Sequence, residues 1–416
     1  MASDWVEFTS GLVRMQSERR PFAILHVIST VDRKGGGPIE GVFQAAATRD
    51  PKAFTTHIAS LDAPASEAVR TSPVLTHALG EGQEDTGWRR RLPWRRYGYQ
   101  PKFVPWLKAN ARNYDIVVVD GLWNYATFGA RRALVGSGVP YVVFTHGMLD
   151  PWFKRTYPLK AMLKQLFWLF SEGPLLNNAR AVLFTTEEEK IVSRDAFAPY
   201  RVRERVVGFG TADIPGDAGA QEAAFRAAVP ALNGKRYLLF LSRIHPKKGC
   251  DLLVEAFGRI AAEHPDLDLV IAGPDQMSWR QELEARARAL GVADRIHWPG
   301  MLIGDTKWGA FRGCEAFVLP SHQENFGVVV AEAMAAEKPV LLTEKVNIWR
   351  EVVACGGGLA ESDTIEGVTR LLTNFLALPT DRRAAMGVAA RGGFLAHFEI
   401  SRAAANINLA LKEATS

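Results

Sequence analysis

Two glutamates in the second half of the chain stand at a spacing that suits a polyhydroxylated ligand. Glu324 and Glu332 are separated by seven residues and lie between an apolar, strand-like run and a helical pattern. A helix beginning near Gly327 would leave Glu324 in the loop and Glu332 inside the helix, with both carboxylates facing one cleft and the first amides pointing at an anion. Carboxylates accept hydrogen bonds from hydroxyls, so the pair could hold a sugar and a ribose. The structural alternative is that Glu324 is a helix-terminal charge that complements the helix dipole and that Glu332 is an ordinary exposed residue of the helix.

Two cations follow another apolar run, within Leu241–Gly249. Arg243 and Lys248 stand just after this predicted strand and before the next predicted helix. In a doubly wound sheet, ligands bind beyond the carboxyl ends of the strands. A guanidinium fork and an ammonium at this position could neutralise a diphosphate as it leaves. The alternative is a pair of ordinary surface cations.

A glycine run and a histidine follow two predicted strands in the first half. Gly36 and Gly37 belong to the run 34–38, where the backbone could approach a phosphate or sugar closely. The run does not match the dinucleotide fingerprint G-x-G-x-x-G, and a tight turn without a ligand is the alternative. His146 ends a further strand, where an imidazole could donate a hydrogen bond or act as an acid or base. At Thr186 and Glu187, a helix N-cap with an acidic first turn is favoured.

The elements that must position these residues are parallel strands covered by helices. Apolar, β-rich runs alternate with helical patterns from one end of the chain to the other. The runs are hydrophobic almost without interruption, which indicates burial on both faces of the sheet. The predicted strands are Ala23–Ser29, Ile116–Asp120, Tyr141–Thr145, Ala181–Thr185, Tyr237–Ser242, Leu267–Ala272, Ala316–Leu319 and Val340–Thr343.

The length of 416 residues exceeds what one hydrophobic core usually serves, so two domains are expected. The strongest glycine and proline punctuation lies in 208–219, which predicts a hinge. The predicted division is a first domain over 1–210, a second domain over 211–395, and a C-terminal helix over 396–416 that returns to the first domain. Ser401 is the predicted N-cap of that helix.

Positive charge is concentrated in the first half. Residues 1–210 hold 28 Lys and Arg against 20 Asp and Glu, whereas the remainder holds 22 against 25. Basic and aromatic residues alternate in 88–97 and in 152–170. This composition suits an anionic membrane surface, and it also suits RNA. The structural alternative is a solvated loop and a helix with a buried apolar face.

Cysteine usage and hydropathy restrict the class of protein. The three cysteines, Cys250, Cys314 and Cys355, form neither a disulfide framework nor a zinc motif, which indicates a reducing compartment. No apolar stretch reaches the roughly 20 residues that span a bilayer. Asp266 and Asp268 form a D-x-D, but they precede a strand like ordinary edge residues, so no metal is assigned. We therefore expect a cytoplasmic protein, soluble or at the inner face of the membrane.

Taken together, these motifs resemble those of the retaining glycosyltransferases of family 4, over most of both halves. The elements that agree are the glycine-rich first turn, His146, Arg243 with Lys248, the Gly273-Pro274 turn, and the segment Pro320–Val340. The resemblance implies an α/β fold of the GT-B kind, in which two Rossmann-like, doubly wound parallel-sheet domains face a central cleft. It implies that the domain over 1–210 binds the acceptor and that the domain over 211–395 binds the nucleotide sugar. It implies metal-independent transfer of a hexose from a nucleotide diphosphate sugar to a glycan or lipid-linked acceptor, in surface polysaccharide or glycolipid synthesis.

The resemblance also implies roles for individual residues. Glu324 and the amides near Asn325, Phe326 and Gly327 would contact the donor sugar, and Glu332 would bind the ribose. Arg243 and Lys248 would hold the diphosphate, with Gly36 and Gly37 approaching it from the other domain. Gly273 would also lie at the donor, His146 near the transferred sugar and Glu187 near the cleft. No cofactor and no nucleic acid are expected, and an anionic membrane is the expected peripheral contact.

Two positions depart from the family pattern, and two other functions stay open. Glu337 stands where the family usually has glycine, which argues against a left-handed helix end there. Asn325, where glycine is also frequent, bears on the choice of donor. The alternatives are a nucleotide-sugar epimerase or hydrolase on the same fold, and a non-catalytic membrane-binding protein derived from a transferase.

Overall fold

The structure is a computed structural model that describes residues 20–33, 37–81, 97–151, 158–232, 234–275 and 277–416. The described residues form two parallel sheets, with seven strands in the order β3-β2-β1-β4-β5-β6-β7 and six in the order β10-β9-β8-β11-β12-β13. The first sheet consists of β1 Phe22–Ile28, β2 Phe54–Ser60, β3 Leu75–Ala78, β4 Ile116–Asp120, β5 Tyr141–Phe144, β6 Ala181–Phe184 and β7 Glu204–Val206. The second consists of β8 Arg236–Leu241, β9 Leu267–Ala272, β10 Ile296–Gly300, β11 Ala316–Leu319, β12 Val340–Thr343 and β13 Gly358–Glu361.

Helices connect the parallel strands and cover the sheets. They are α1 Gly37–Thr48, α2 Glu67–Arg70, α3 Phe103–Asn110, α4 Tyr125–Leu134, α5 Pro158–Phe170, α6 Glu172–Asn177, α7 Glu187–Ser193, α8 Ala218–Ala228, α9 Cys250–Ile260, α10 Arg280–Ala289, α11 Gly304–Gly313, α12 Val328–Ala335, α13 Trp349–Ala354, α14 Ile365–Leu376, α15 Thr380–Gly393 and α16 Ile400–Glu413. One turn of π-helix, Phe394–Phe398, joins α15 to α16, and short 3₁₀ turns include Pro246–Lys248.

The predicted fold class is confirmed. Each of the eight predicted strands is present to within about a residue, and the residues of β4, β5, β6, β9, β11 and β12 are all buried, as the uninterrupted apolar runs indicated. In both sheets the strand order reverses next to the first strand, between β1 and β4 and between β8 and β11. Such a reversal opens a crevice at the carboxyl ends of the strands, where ligands of doubly wound sheets bind.

The chain passes between the sheets twice, and the two crossings are hydrogen-bonded to each other. The backbone amide of Thr211 donates to the carbonyl of Phe398 at 2.9 Å, and the amide of Ile400 donates to the carbonyl of Thr211 at 3.1 Å. Beyond this point α16 packs against the first sheet, where Leu411 is buried with Ile24. The prediction of Ser401 as N-cap is wrong: the Glu399 carboxylate accepts from the amides of Ser401 and Arg402 and caps the helix two residues earlier.

Within the described residues, no helix is both long and apolar enough to cross a membrane. The helix α5 is nevertheless unusual, because one of its faces is apolar and open to solvent. The large apolar side chains on that face are between 45 and 66 per cent exposed: Met162, Leu163, Leu166, Leu169 and Phe170. Of the two basic and aromatic segments, 88–96 and 152–157 lie outside the described residues.

Candidate active site

A largely buried ion pair joins the ends of β8 and β11, at the point where the second sheet reverses its strand order. The Lys248 ammonium donates to Oε2 of Glu324, and the side chains are 8 and 20 per cent exposed. Lys248 ends the 3₁₀ turn that follows β8, and Glu324 lies in the loop that follows β11. The structure therefore brings together two predicted site residues that are 76 positions apart in the chain.

Both oxygens of the Glu324 carboxylate and its backbone are held in place. Oε1 accepts from the amide of Asn325 at 3.2 Å, while Oε2 accepts from Lys248. The amide of Glu324 donates to the carbonyl of Lys345 at 2.9 Å, and its carbonyl accepts from the amide of Asn347 at 3.0 Å. The carboxylate is consequently fixed in one orientation before any ligand binds.

The loop after β8 carries a concentrated positive charge. Arg243 is exposed, and no described residue forms an ion pair or hydrogen bond with its guanidinium. The pKa of His245 lies below its ordinary value, first because of burial and then because Arg243, Lys247 and Lys248 oppose its protonation. Burial likewise lowers the pKa of Lys247. A field that disfavours a cation attracts an anion, so this loop suits a diphosphate.

Gly273 allows the end of β9 to approach this loop closely. Its φ is 144°, and a Cβ built there would lie 1.8 Å from the carbonyl oxygen of Ser242, the residue before Arg243. Its amide donates to the carbonyl of Gly300 at 2.8 Å. Any side chain at Gly273 would push β9 away from the cationic loop.

Glu332 lies inside α12, which begins directly after Gly327, as the spacing predicted. The residue is buried, and Oε1 accepts from the Lys307 ammonium at 2.6 Å. Burial raises the pKa of Glu332, while the charge and hydrogen bond of Lys307 act in the opposite direction. Lys307 was not predicted, because it lies on α11 and nothing in its local sequence marks it as a partner of Glu332.

The segment between the two glutamates is held by an aromatic contact and by a hydrogen bond to the first domain. The Phe326 ring is buried between Phe209 and Phe398, with ring centroids 5.1 and 5.5 Å away. The Asn325 side-chain amide donates to the Thr185 hydroxyl of the first domain at 3.0 Å. Phe326 therefore anchors the loop on the two chain crossings, and Asn325 ties it to the opposite sheet.

In the first domain, His146 is held by a buried aspartate at the end of β4. Its Nε2 lies 3.0 Å from Oδ1 of Asp120, and Nδ1 of His26 lies 2.8 Å from Oδ2. Burial by itself would raise the pKa of Asp120, but the two histidines outweigh it and the pKa lies below its ordinary value. His146 has a left-handed φ of 47°, and its side chain is 7 per cent exposed. Solvent therefore reaches His146 mainly through its backbone.

A second buried carboxylate, Glu189 of α7, organises the rim of the first sheet. It accepts from the hydroxyl of Thr145 and the amide of Gly147, both at 2.6 Å, and from the amide and hydroxyl of Thr185 at 2.7 and 2.6 Å. Gly147, with a φ of 76°, meets the second domain: a Cβ there would lie 2.6 Å from Asn325. Asp120 and Glu189 were both missed, because a lone acidic residue at a strand or helix end has no distinctive spacing.

Residues of both domains line an open cavity of about 740 Å³ that reaches Gln323, the neighbour of Glu324. Its lining includes Asp150 and Glu188 from the first domain and Lys247 and Gln323 from the second. Gln323 donates to Asp150 at 2.6 Å across the domains. Glu187 is exposed and pairs with Lys190. The residue of this turn that lines the cavity is its neighbour, Glu188.

The remaining sequence predictions have the following places in the structure. Gly37 is the first residue of α1, whereas Gly36 lies outside the described residues. Thr186 caps α7 through its hydroxyl, as predicted. Glu337 has a φ of 61°, so the chain keeps a left-handed helix end there although glutamate replaces glycine. The expectation against that conformation is wrong, because the amides of Glu337 and Lys338 bond to Met334 and Ala333 and hold the turn.

Asp266 and Asp268 both have structural partners. Asp266 pairs with Arg236 at 2.7 Å, while buried Asp268 bonds to Lys235 and His297. Across the part of the chain that the structure describes, no group of three His, Cys, Asp or Glu side chains could hold a metal ion.

Two doubly wound sheets whose carboxyl ends meet at one cleft define the GT-B architecture. Residues 221–392 match the family model of the glycosyl transferases group 1, and residues 44–210 match that of the glycosyl transferase 4-like domain. The chain belongs to this family of glycosyl transferases.

Curated relatives are similar over part of their length. A phosphatidyl-myo-inositol mannosyltransferase of Mycolicibacterium smegmatis is 31% identical over 196 residues, which cover 45% of this chain and 49% of that protein. A D-inositol 3-phosphate glycosyltransferase of Actinosynnema mirum is 35% identical over 165 residues, covering 38% of this chain and 36% of that protein. The chain thus spans at most about half the length of these relatives.

Solved structures share the fold over nearly the whole chain. The HepE protein of Anabaena, in complex with UDP and glucose, has a TM-score of 0.70 at 16% identity and covers 94% of this chain and 99% of that chain. The sucrose-phosphate synthase of Thermosynechococcus elongatus has a TM-score of 0.72 at 20% identity, and the match covers 95% of this chain and 99% of that chain. At these identities the likeness shows the fold.

Replacing Asp120 by Asn tests the buried aspartate. The amide leaves one histidine without its acceptor, so the free energy of unfolding at pH 7 should fall by about 3–5 kcal/mol. Because the folded pKa of Asp120 is lowered, its contribution is present above the unfolded value near 4 and is lost as pH falls through the folded pKa. Urea denaturation from pH 7 to pH 3.5 should show that the difference in unfolding free energy between wild type and variant becomes smaller below about pH 4.

The control is Asp381→Asn, which changes an exposed aspartate and should leave the free energy of unfolding unchanged. Equal stability of Asp120→Asn and wild type at pH 7 would refute the role of Asp120.

Proposed function

We propose that this protein transfers a hexose from a nucleotide diphosphate sugar to a glycan or lipid-linked acceptor, with retention of configuration and without a metal ion. The observation that carries the proposal is the largely buried Lys248–Glu324 pair, in a loop region that also carries the exposed Arg243, at the strand reversal of the second sheet. The pair sets a phosphate-binding cation against a hydroxyl-binding carboxylate, which are the two chemistries of a nucleotide sugar.

In this proposal the donor diphosphate lies against Arg243 and Lys248. The sugar hydroxyls bond to Glu324 and to the amides of Phe326 and Gly327, and the ribose bonds to Glu332. Lys248 also shields the diphosphate from the negative charge of Glu324, which would otherwise repel it. Arg243 and Lys248 supply the charge neutralisation that a divalent ion provides in other enzymes.

The reaction proceeds on one face of the sugar. The bond between the anomeric carbon and the β-phosphate oxygen breaks, and the acceptor oxygen bonds to the same carbon from the face that the phosphate vacates. A phosphate oxygen takes the acceptor proton, so the products are the glycosylated acceptor and a nucleoside diphosphate. His146, held by Asp120, presents its backbone to the sugar from the opposite domain.

The nature of the acceptor is supported by the surface of the first domain and by the relatives. One relative is named for mannosyl transfer to phosphatidyl-myo-inositol, a membrane lipid. The apolar face of α5 is exposed, and residues 1–210 carry 28 basic against 20 acidic residues. An amphipathic helix on a positively charged domain suits the interface of an anionic bilayer. We infer that the first domain docks at the cytoplasmic face of the membrane to reach a lipid-linked acceptor, for surface polysaccharide or glycolipid synthesis.

Turnover of a donor panel tests the proposed reaction. UDP-glucose, UDP-galactose and GDP-mannose are incubated with lipid-linked and inositol phosphate acceptors, and the release of nucleoside diphosphate is measured. We expect release from one donor that depends on the acceptor, and a loss of about a hundredfold or more in Arg243→Ala, which removes a charged donor. Arg382→Ala, an exposed arginine on α15, is the matched control. Release or rearrangement without any acceptor would instead favour the epimerase or hydrolase, and no processing of any donor would contradict the proposal.

Vesicle co-sedimentation tests the membrane contact. The triple variant Leu163→Ser, Leu166→Ser, Phe170→Ser removes apolar area from α5 and should weaken binding to anionic vesicles at least tenfold. The control, Val388→Ser with Leu395→Ser and Leu409→Ser, removes comparably exposed apolar side chains elsewhere and should bind as the wild type does. Two results would contradict the membrane contact: equal binding of the wild type to neutral and anionic vesicles, or equal binding of the α5 variant and the control variant to anionic vesicles. Either result would leave the transferase proposal intact.

A further inference from the structure

The carboxylate of Glu332 has two oxygens in different situations. Oε1 accepts from the Lys307 ammonium at 2.6 Å, whereas Oε2 is buried and has no hydrogen-bond partner in the structure. The Glu332 side chain is 9 per cent exposed and that of Lys307 is 22 per cent exposed. Buried carboxylate oxygens are normally paired, so an oxygen without a partner beside a fixed lysine indicates a place that a ligand completes.

Lys307 is held where it can orient Glu332. It lies on α11, and its ammonium also sits over the ring of Trp308, 4.4 Å from the centroid. A cation between a carboxylate and an aromatic face is restrained from both sides. The carboxylate is therefore turned by a neighbouring helix and not by its own.

We propose that Lys307 is a positioning residue for the donor nucleotide: it holds Oε1 of Glu332 and leaves Oε2 as the acceptor for the ribose hydroxyls. This inference rests on the proposed function, in which Glu332 binds the ribose, and it adds the residue that readies the glutamate. It also predicts that recognition of the ribose depends on a side chain from α11, outside the segment that contains the two glutamates.

The electrostatics of the pair give the proposal a distinctive readout. Burial raises the pKa of Glu332, and Lys307 is the charged side chain that opposes this rise. Among the described residues, Arg391 also reaches α12, where it bonds to the carbonyl of Ala335 and pairs with Asp213. Without Lys307 the pKa of Glu332 rises further, so the carboxyl becomes neutral at a higher pH than in the wild type. A neutral carboxyl accepts a hydrogen bond from a hydroxyl more weakly than a carboxylate does.

Calorimetric titration with UDP and GDP, and with their 2′-deoxy forms, from pH 8 to pH 6, tests the proposal. The affinity ratio between each nucleotide and its deoxy form isolates the ribose hydroxyl, because the phosphates titrate alike in both. In the wild type we expect a ratio of about ten at pH 8, the usual effect of a hydrogen bond to a charged group. In Lys307→Met the ratio should fall to about three or less and fall further as pH is lowered. Lys307→Arg should restore most of it.

The matched control is Lys235→Met, which removes another lysine bonded to a buried carboxylate, that of Asp268. It should bind both nucleotides as the wild type does. An unchanged ratio in Lys307→Met at every pH, or a loss of the same size in Lys235→Met, would overturn the role of Lys307. If neither UDP nor GDP binds the wild type, it is the proposed function that fails.

Discussion

The structure of the site depends on one constraint: a lysine ammonium and a glutamate carboxylate must share a largely buried place between two loops. An ion in such a place is costly unless it is paired and its remaining hydrogen bonds are satisfied. Lys248 pairs with Oε2 of Glu324, and the Asn325 amide satisfies Oε1. The ends of β8 and β11 are therefore fixed against each other, and the strand reversal between them becomes a preformed cleft.

The same constraint extends to the other domain. Because Glu324 is fixed, Asn325 is placed to bond to Thr185, and Gly147 lies close enough to Asn325 that a side chain there would clash. Thr185 and Gly147 are themselves held by the Glu189 carboxylate, and His146 by Asp120. Each domain thus uses a buried carboxylate to shape its rim, and the rims meet at the predicted sugar-binding loop.

Sequence alone predicted the parts of this arrangement that are local. The central strands are apolar on both faces, so their runs were readable, and residues that directly follow them were recognisable as site candidates. The strands β2, β3, β7, β10 and β13 were missed because they lie towards the sheet edges and are only partly buried, as in Phe54–Ser60. Lys307, Asp120 and Glu189 were missed because their roles arise from contacts between distant segments. Glu337 shows that the residue type does not decide alone, since backbone hydrogen bonds at the end of α12 hold a conformation that glutamate disfavours.

The central claim is that Glu324 acts on the sugar and Lys248 on the diphosphate, and Glu324→Gln separates the two roles. The amide keeps the shape of the side chain, and its oxygen can still accept a hydrogen bond from Lys248, so the two loops stay together while the negative charge is removed. The measurement is turnover of the accepted donor together with the dissociation constant of its nucleoside diphosphate. We predict that turnover falls about a hundredfold or more while the dissociation constant stays within about threefold or decreases. Wild-type turnover, or a loss of nucleotide binding as large as the loss of turnover, would contradict the account.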